Sequence, residues 1–203
     1  MKIVLVVVAV ISKEKESIIG IGIDQGIANC GFSVIQLIGN ELLVLKSGTI
    51  ETDSKLSLPQ RISLIYSLLT ELANTYNPKI IGCEKLFFNP RQRVPSDGKK
   101  GRNKSASIVM TNMVTGVVHL IAGQKQIMLR DFVPGTVKKY VAGNGRATKE
   151  NVIAAVKYLL QREDVKEHEA DATAIGITAV KFYRDTNGKL PEKKMRNNNR
   201  KGA

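Results

Sequence analysis

Two acidic side chains end runs that are otherwise apolar. Asp24 closes Ile18–Asp24 (IIGIGID), and Glu84 closes Lys79–Glu84 (KIIGCE). A single carboxylate at a strand end is ordinarily an edge residue or a helix cap. Two of them, each closing a buried strand, point elsewhere, because ligand crevices of mixed α/β sheets lie at the carboxyl ends of strands. If the two strands are neighbours, the carboxylates face each other, repel, and drive one to take up a proton. A divalent cation removes that conflict, and Mg²⁺ suits it: a few carboxylates hold it, it keeps waters, and it bridges to phosphate oxygens. His168 and Asp171 are three residues apart, so they share one face of a helix. They stand in its first turn, where the helix dipole favours an anion. Alone, His168 reads as a surface or cap histidine. Beside Asp24, Glu84 and Asp171 it reads as a fourth metal ligand. Two ions about 3.5–4 Å apart would activate a water and stabilise the leaving oxygen of a phosphodiester.

The charge fits a phosphodiester substrate. The chain has 203 residues, with 31 Lys and Arg against 18 Asp and Glu, a net charge of +13. Such an excess favours a polyanionic partner, nucleic acid or an acidic membrane surface. Residues 91–104 hold Arg91, Arg93, Lys99, Lys100, Arg102 and Lys104 against Asp97, and residues 189–203 carry six basic side chains against Glu192. Each segment nets +5, so ten of the thirteen net charges lie in two stretches without apolar periodicity. A charge run is often just solvated, but a basic loop beside carboxylate-tipped strands favours phosphate contact. With no Trp and 5% aromatic residues, a base-stacking platform is not the main grip.

No segment has the roughly 20 apolar residues needed to span a bilayer, and no membrane partner is expected. Met1–Ile11 resembles a short signal core, yet Lys13–Glu16 follows in place of a small-residue cleavage site. Residues 1–17 therefore read as an extension, either an extra strand or an ill-defined leader. Cys30 and Cys83 are too few for a disulfide framework and lack zinc-site spacing, so they read as reduced core residues of a cytoplasmic protein.

The positioning elements follow from periodicity. Ile18–Asp24, Cys30–Ile38 and Glu41–Glu51 read as three strands joined by short turns, with Gly39-Asn40 at the second. Pro59 opens a helix whose apolar face is Ile62, Ile65, Leu68, Leu69, Leu72 and Tyr76, and Pro78 ends it. Lys79–Glu84 is a fourth strand, Ser105–Ala122 a buried helix, and Gln126–Phe132 a fifth strand. Pro134–Ala142 is a short helix stopped by Gly143. Thr148 caps another that runs to about Gln161. His168–Tyr183 is the last helix, with Ala172, Ala174 and Ile175 on the face toward the sheet, and a disordered tail is expected from Asp185. A meander leading into βαβ units makes an α/β fold: a mixed five-stranded sheet, three antiparallel strands then parallel ones, with helices on both faces.

Four blocks resemble the RuvC family of Holliday junction resolvases, within the ribonuclease H-like superfamily. They are Gly22-Ile23-Asp24-Gln25-Gly26 with Gly31-Phe32-Ser33-Val34-Ile35; Cys83 to Phe88; Pro134 to Lys138 continued by Val141 to Lys149; and His168-Glu169-Ala170-Asp171-Ala172. The first block alone is weak, because actin-like ATPases open similarly; the third and fourth together are specific. The resemblance implies a nuclease domain at 18–184 and a Mg²⁺-dependent homodimer that nicks two opposed strands of a four-way DNA junction in recombination and repair. Branch-migration proteins are possible partners. By resemblance Asp24, Glu84, His168 and Asp171 match the metal positions, two ions per site. Lys138 and Lys149 match basic residues near the scissile phosphate, with Lys149 also catalytic, and Arg146 is expected among the DNA-binding residues. Phe87 matches an aromatic that wedges against bases, unless it is simply buried. Many relatives carry Asp where His168 stands, and imidazole prefers softer ions, which favours Mn²⁺ tolerance and a pH-sensitive site. The basic loop, the extension and the tail at 185–203 are additions and leave a phage, plasmid or organelle origin open. The competing readings are a catalytically inactive junction-binding protein, which the intact Asp24, Glu84 and Asp171 argue against, and an actin-like ATPase, for which the chain is too short.

Overall fold

The computed structural model describes residues 16–85 and 104–189, the side chains of 104–108 apart. Five strands form one sheet: β1 (Ser17–Asp24), β2 (Asn29–Ile38), β3 (Glu41–Glu51), β4 (Ile80–Glu84) and β5 (Met128–Phe132). Their order is β3-β2-β1-β4-β5. β1, β2 and β3 pair antiparallel, as their short connections dictate, and Gly39 takes the positive φ of the turn. The β1–β4 and β4–β5 pairs are parallel, each crossing over through one or more helices. The sheet is thus mixed and five-stranded, as the patterning predicts.

Five helices complete the fold: α1 (Leu58–Tyr76), α2 (Lys104–Lys125), α3 (Pro134–Ala142), α4 (Lys149–Leu160) and α5 (Glu167–Asp185). The strands alternate sides, which splits the core in two. Ile21, Ile23, Val34, Ile81 and Cys83 pack with Ile65 and Leu69 of α1 and Val114 and Val118 of α2. On the other face Ile35, Leu37 and Ile80 meet Ile175, Ile177 and Val180 of α5, which α3 and α4 cover in turn. Cys30 and Cys83 are free thiols with no exposure. Burial pushes the Cys30 thiol up to about 12 and the Cys83 thiol up as well, so both stay protonated, inert core residues.

α5 lies directly on β1 and β2 because glycines leave room. A Cβ on Gly22 would come 2.1 Å from the Ala172 carbonyl oxygen, and one on Gly31 would come 2.0 Å from that of His168. Only glycine permits so close a backbone approach.

Four local readings are corrected. Gln126 is not in the fifth strand: it takes φ 55 and ends α2, which runs on to Lys125. The Gln126 and Ile127 amides donate to the Gly123 and Ala122 carbonyls, the left-handed cap that stops such helices. Lys104 opens α2 rather than belonging to the basic loop. Ala172, Ala174 and Ile175 are not one sheet-facing stripe, since Ala174 packs with Val152 and Val156 of α4 and residues 172–180 are buried all round. The chain stays ordered past Asp185, where the Thr186 and Gly188 amides donate to the Phe182 and Tyr183 carbonyls. Phe87, Arg91, Arg93, Lys99, Lys100 and Arg102, with the rest of the basic loop, lie outside the described residues, as do residues 1–15 and 190–203.

Candidate active site

The parallel register pairs Ile23 with Cys83, so Asp24 and Glu84 follow side by side at the carboxyl ends of two central strands. Gln25 locks those ends together. It is 4% exposed; its Nε2 donates to the Glu84 carbonyl at 3.1 Å and to Thr115 Oγ1 at 3.4 Å, and its Oε1 accepts from the Glu84 amide at 3.3 Å. This clamp was missed in the sequence, where the only signal is an amide one residue after a strand-ending acid.

α5 brings in the other two candidates. Its first turn sits over Gly31, and His168 Nδ1 lies 2.6 Å from Asp24 Oδ2. A neutral imidazole that donates from Nδ1 to Asp24 leaves Nε2 with a free lone pair. One turn on, Asp171 is reached by the ammonium of Lys149 at 3.3 Å, and the same ammonium donates to Glu167. Lys149 is held there because it is the first residue of α4. Thr148 caps that helix: its Oγ1 accepts from the Asn151 amide and its own amide donates to Asn151 Oδ1.

A cleft of about 280 Å³ opens beside these groups, lined by Glu84, Lys138, Lys149 and Asp171, with Pro134, Val137, Val152, Ala174 and Ile175 as its apolar wall. Acid and base therefore share one cavity. Burial raises the Glu84 carboxyl above its usual range, and the charges of Asp24 and Asp171 add to it while Lys149 opposes. Burial also raises the Asp171 carboxyl, against the pull of the Lys149 ammonium. Burial leads in both, and neighbouring acids add to it. Among the described residues no three His, Cys, Asp or Glu side chains stand close enough to enclose a metal ion. The positive group paired with Asp171 is Lys149. Arg146 is exposed in the turn before α4, where its amide donates to Asn144 Oδ1.

A further buried acid went unnoticed in the sequence. Glu169, 4% exposed, accepts from Ser47 Oγ at 2.6 Å and from Arg162 Nη1 at 3.1 Å, which pins the first turn of α5 to β3 and to the loop after α4.

Comparison with known proteins agrees with this arrangement. The family model described as crossover junction endodeoxyribonuclease RuvC matches residues 19–179. The protein of that name from Halothermothrix orenii is 33% identical over 81% of this chain and 93% of its own length. That from Alkaliphilus metalliredigens is 34% identical over 77% and 89%. Among solved structures, Thermus thermophilus RuvC in complex with Holliday junction substrate superposes with a TM-score of 0.71 at 24% identity, over 86% of this chain and 99% of that one. The yeast mitochondrial Holliday junction resolvase Ydc2 reaches 0.53 at 15% identity, covering 86% of each chain. With a matching fold, a family model covering most of the chain and relatives above 30% identity, this chain belongs to the RuvC family of crossover junction endodeoxyribonucleases.

Proposed function

We propose that this protein resolves four-way DNA junctions by metal-dependent hydrolysis of phosphodiester bonds in two opposed strands, in recombination and repair. The observation that carries the proposal is the cleft in which Glu84 and Asp171 share a wall with Lys138 and Lys149, with the Asp24–His168 pair beside it at the strand end, outside its lining. A relative of the same fold is described in complex with a Holliday junction.

The donor chemistry suits Mg²⁺: Asp24, Glu84 and Asp171 supply hard oxygen donors, and burial, with the neighbouring acids adding to it, raises the Glu84 and Asp171 carboxyls, a cost that a cation would offset. Enclosing an ion requires these side chains to draw closer than they stand in the DNA-free protein. The free Nε2 of His168 is a softer donor, which is why Mn²⁺ should be accepted as well. Asp24, Glu84, His168 and Asp171 would hold two such ions per site, which would neutralise charge at the scissile phosphate and acidify water. The chain's own residues do the rest. Asp24 orients His168 through Nδ1, Gln25 fixes the backbone that carries Glu84, and Lys149 and Lys138 meet phosphate oxygens as they enter the cleft. Arg146, Arg91, Arg93, Lys99, Lys100, Arg102 and Lys104 extend the phosphate grip, and Phe87 contacts bases at the junction centre.

Two opposed cuts call for two sites, hence a homodimer. Val109, Met113 and Leu120 are 51, 36 and 52% exposed on one face of α2, and a Cβ on Gly116 between them would meet open space. An apolar stripe of this kind suits a second copy of the chain. No described helix is long and apolar enough to cross a membrane. Buried free thiols suit the reducing cytoplasm. The nuclease domain is residues 18–184, flanked by an N-terminal extension and a basic tail.

The test is cleavage of a fixed four-way junction with Mg²⁺, for the parent and for Asp24→Asn. The substitution removes charge at nearly constant shape, so cutting should be lost while junction binding in EDTA persists, because affinity comes mainly from Lys and Arg on phosphates. A variant that still cuts would overturn the site. A parent that binds junctions and never cuts them would make the protein an inactive junction binder.

A further inference from the structure

Glu167 has no part in the site as described, yet it touches that site's lysine. It opens α5 four residues before Asp171, so the two acids stand one turn apart on the same helical face. The Lys149 ammonium spans them, donating to Glu167 and, at 3.3 Å, to Asp171 Oδ2. The contact is mutual in its electrostatics: the hydrogen bond from Lys149 holds the Glu167 carboxyl below the usual range, and the bond to Glu167 is the largest influence holding the Lys149 ammonium above its own. Glu167 itself is 66% exposed and lies outside the lining of the cleft.

An ammonium and a divalent cation compete for the oxygens of Asp171. A lysine with Asp171 as sole partner would compete fully. A lysine with a second carboxylate one turn away can give up Asp171 and remain paired. We propose that Glu167 is a positioning residue for Lys149: it shares the ammonium with Asp171 in the DNA-free protein and retains it when a divalent cation takes Asp171, so that Lys149 stays at the rim of the cleft, ready for a phosphate. The inference rests on the metal-dependent site proposed above. Glu167 acts through Lys149 and touches neither substrate nor cation.

The test is a double-mutant cycle on the DNA-free protein, reading Mn²⁺ affinity by electron paramagnetic resonance. Glu167→Gln should weaken Mn²⁺ binding about two- to fivefold, the range of a single exposed ion pair, because Lys149 then pairs only with Asp171. In a Lys149→Gln background the same substitution should leave Mn²⁺ affinity unchanged. A general effect of losing one negative charge would persist in both backgrounds; equal losses with and without Lys149 would therefore overturn the proposal. Asp171→Asn separates this failure from that of the underlying site. If it abolishes Mn²⁺ binding while the cycle is additive, only the role of Glu167 falls. If it leaves Mn²⁺ binding intact, the metal site and the role of Glu167 fall together.

Discussion

Replacing Gly31 with alanine should separate α5 from the sheet and disable the site without touching a site residue. The new methyl carbon would stand 2.0 Å from the His168 carbonyl oxygen, 2.6 Å from its carbonyl carbon and 3.2 Å from the Ala172 methyl. Ordinary contact begins at 3.4 Å, so one side must move by about 1.4 Å. β2 cannot give way easily, being paired on both edges, to β1 and to β3. The first turn of α5 must move instead, and with it His168. A contact of 2.6 Å between His168 Nδ1 and Asp24 Oδ2 does not survive such a shift as a hydrogen bond. Overpacking of this kind costs about 3 kcal/mol, the upper part of its usual range. For a chain of this size that lowers the melting midpoint by roughly 6–12 °C. A catalytic group misplaced by about 1 Å loses rate on the order of a hundredfold. The assay is single-turnover cleavage of a four-way junction well below the variant's midpoint, beside thermal melts of parent and variant. Gly48→Ala is the control, because its methyl would meet only ring carbons of Phe32, at 3.2 and 3.3 Å, which can yield by a few tenths of an ångström. It should melt and cut nearly as the parent does. If Gly31→Ala did the same, the close seat of α5 would not be what places His168.

Two further outcomes are expected. The Glu84 carboxyl sits above its ordinary range, so over that window the folded protein binds a proton the unfolded chain has lost, and stability falls as pH rises through it; Glu84→Gln in EDTA should therefore raise the melting midpoint at neutral pH by a few degrees, with the gain shrinking as pH falls into the ordinary carboxylate range, and identical midpoints across that range would refute the burial and repulsion assigned to Glu84. Truncation after Lys189 removes five basic side chains and one acid; affinity for any DNA should fall with junction preference intact, and the salt dependence should flatten by about 0.9 in log–log slope per lost phosphate contact, whereas an unchanged slope would mean that the tail never meets DNA.

Much of this molecule is legible in its sequence, because the signals are local. Alternating or continuous apolar runs place the five strands. Pro59 and Pro134 mark helix starts and Thr148 a cap, and helical spacing puts His168 and Asp171 on one face. The charge excess and the strand-ending acids identify the class of chemistry for the same reason: each is a property of a short stretch. What the sequence leaves undetermined depends on contacts between distant residues. Asp24 and Glu84 become neighbours only because the crossover through α1 sets β4 beside β1, and nothing within either run dictates that pairing. Gln25 carries no local signal of its role: its clamp is to the backbone of Glu84, 59 residues away. Glu169 and Glu167 are both acids in the first turn of one helix, where local rules treat them alike. The helix rotation fixed by Gly22 and Gly31 buries the first between Ser47 and Arg162 and leaves the second exposed against Lys149. Local pattern fixes which face a residue occupies on its own element; only the packing of elements decides what that face meets.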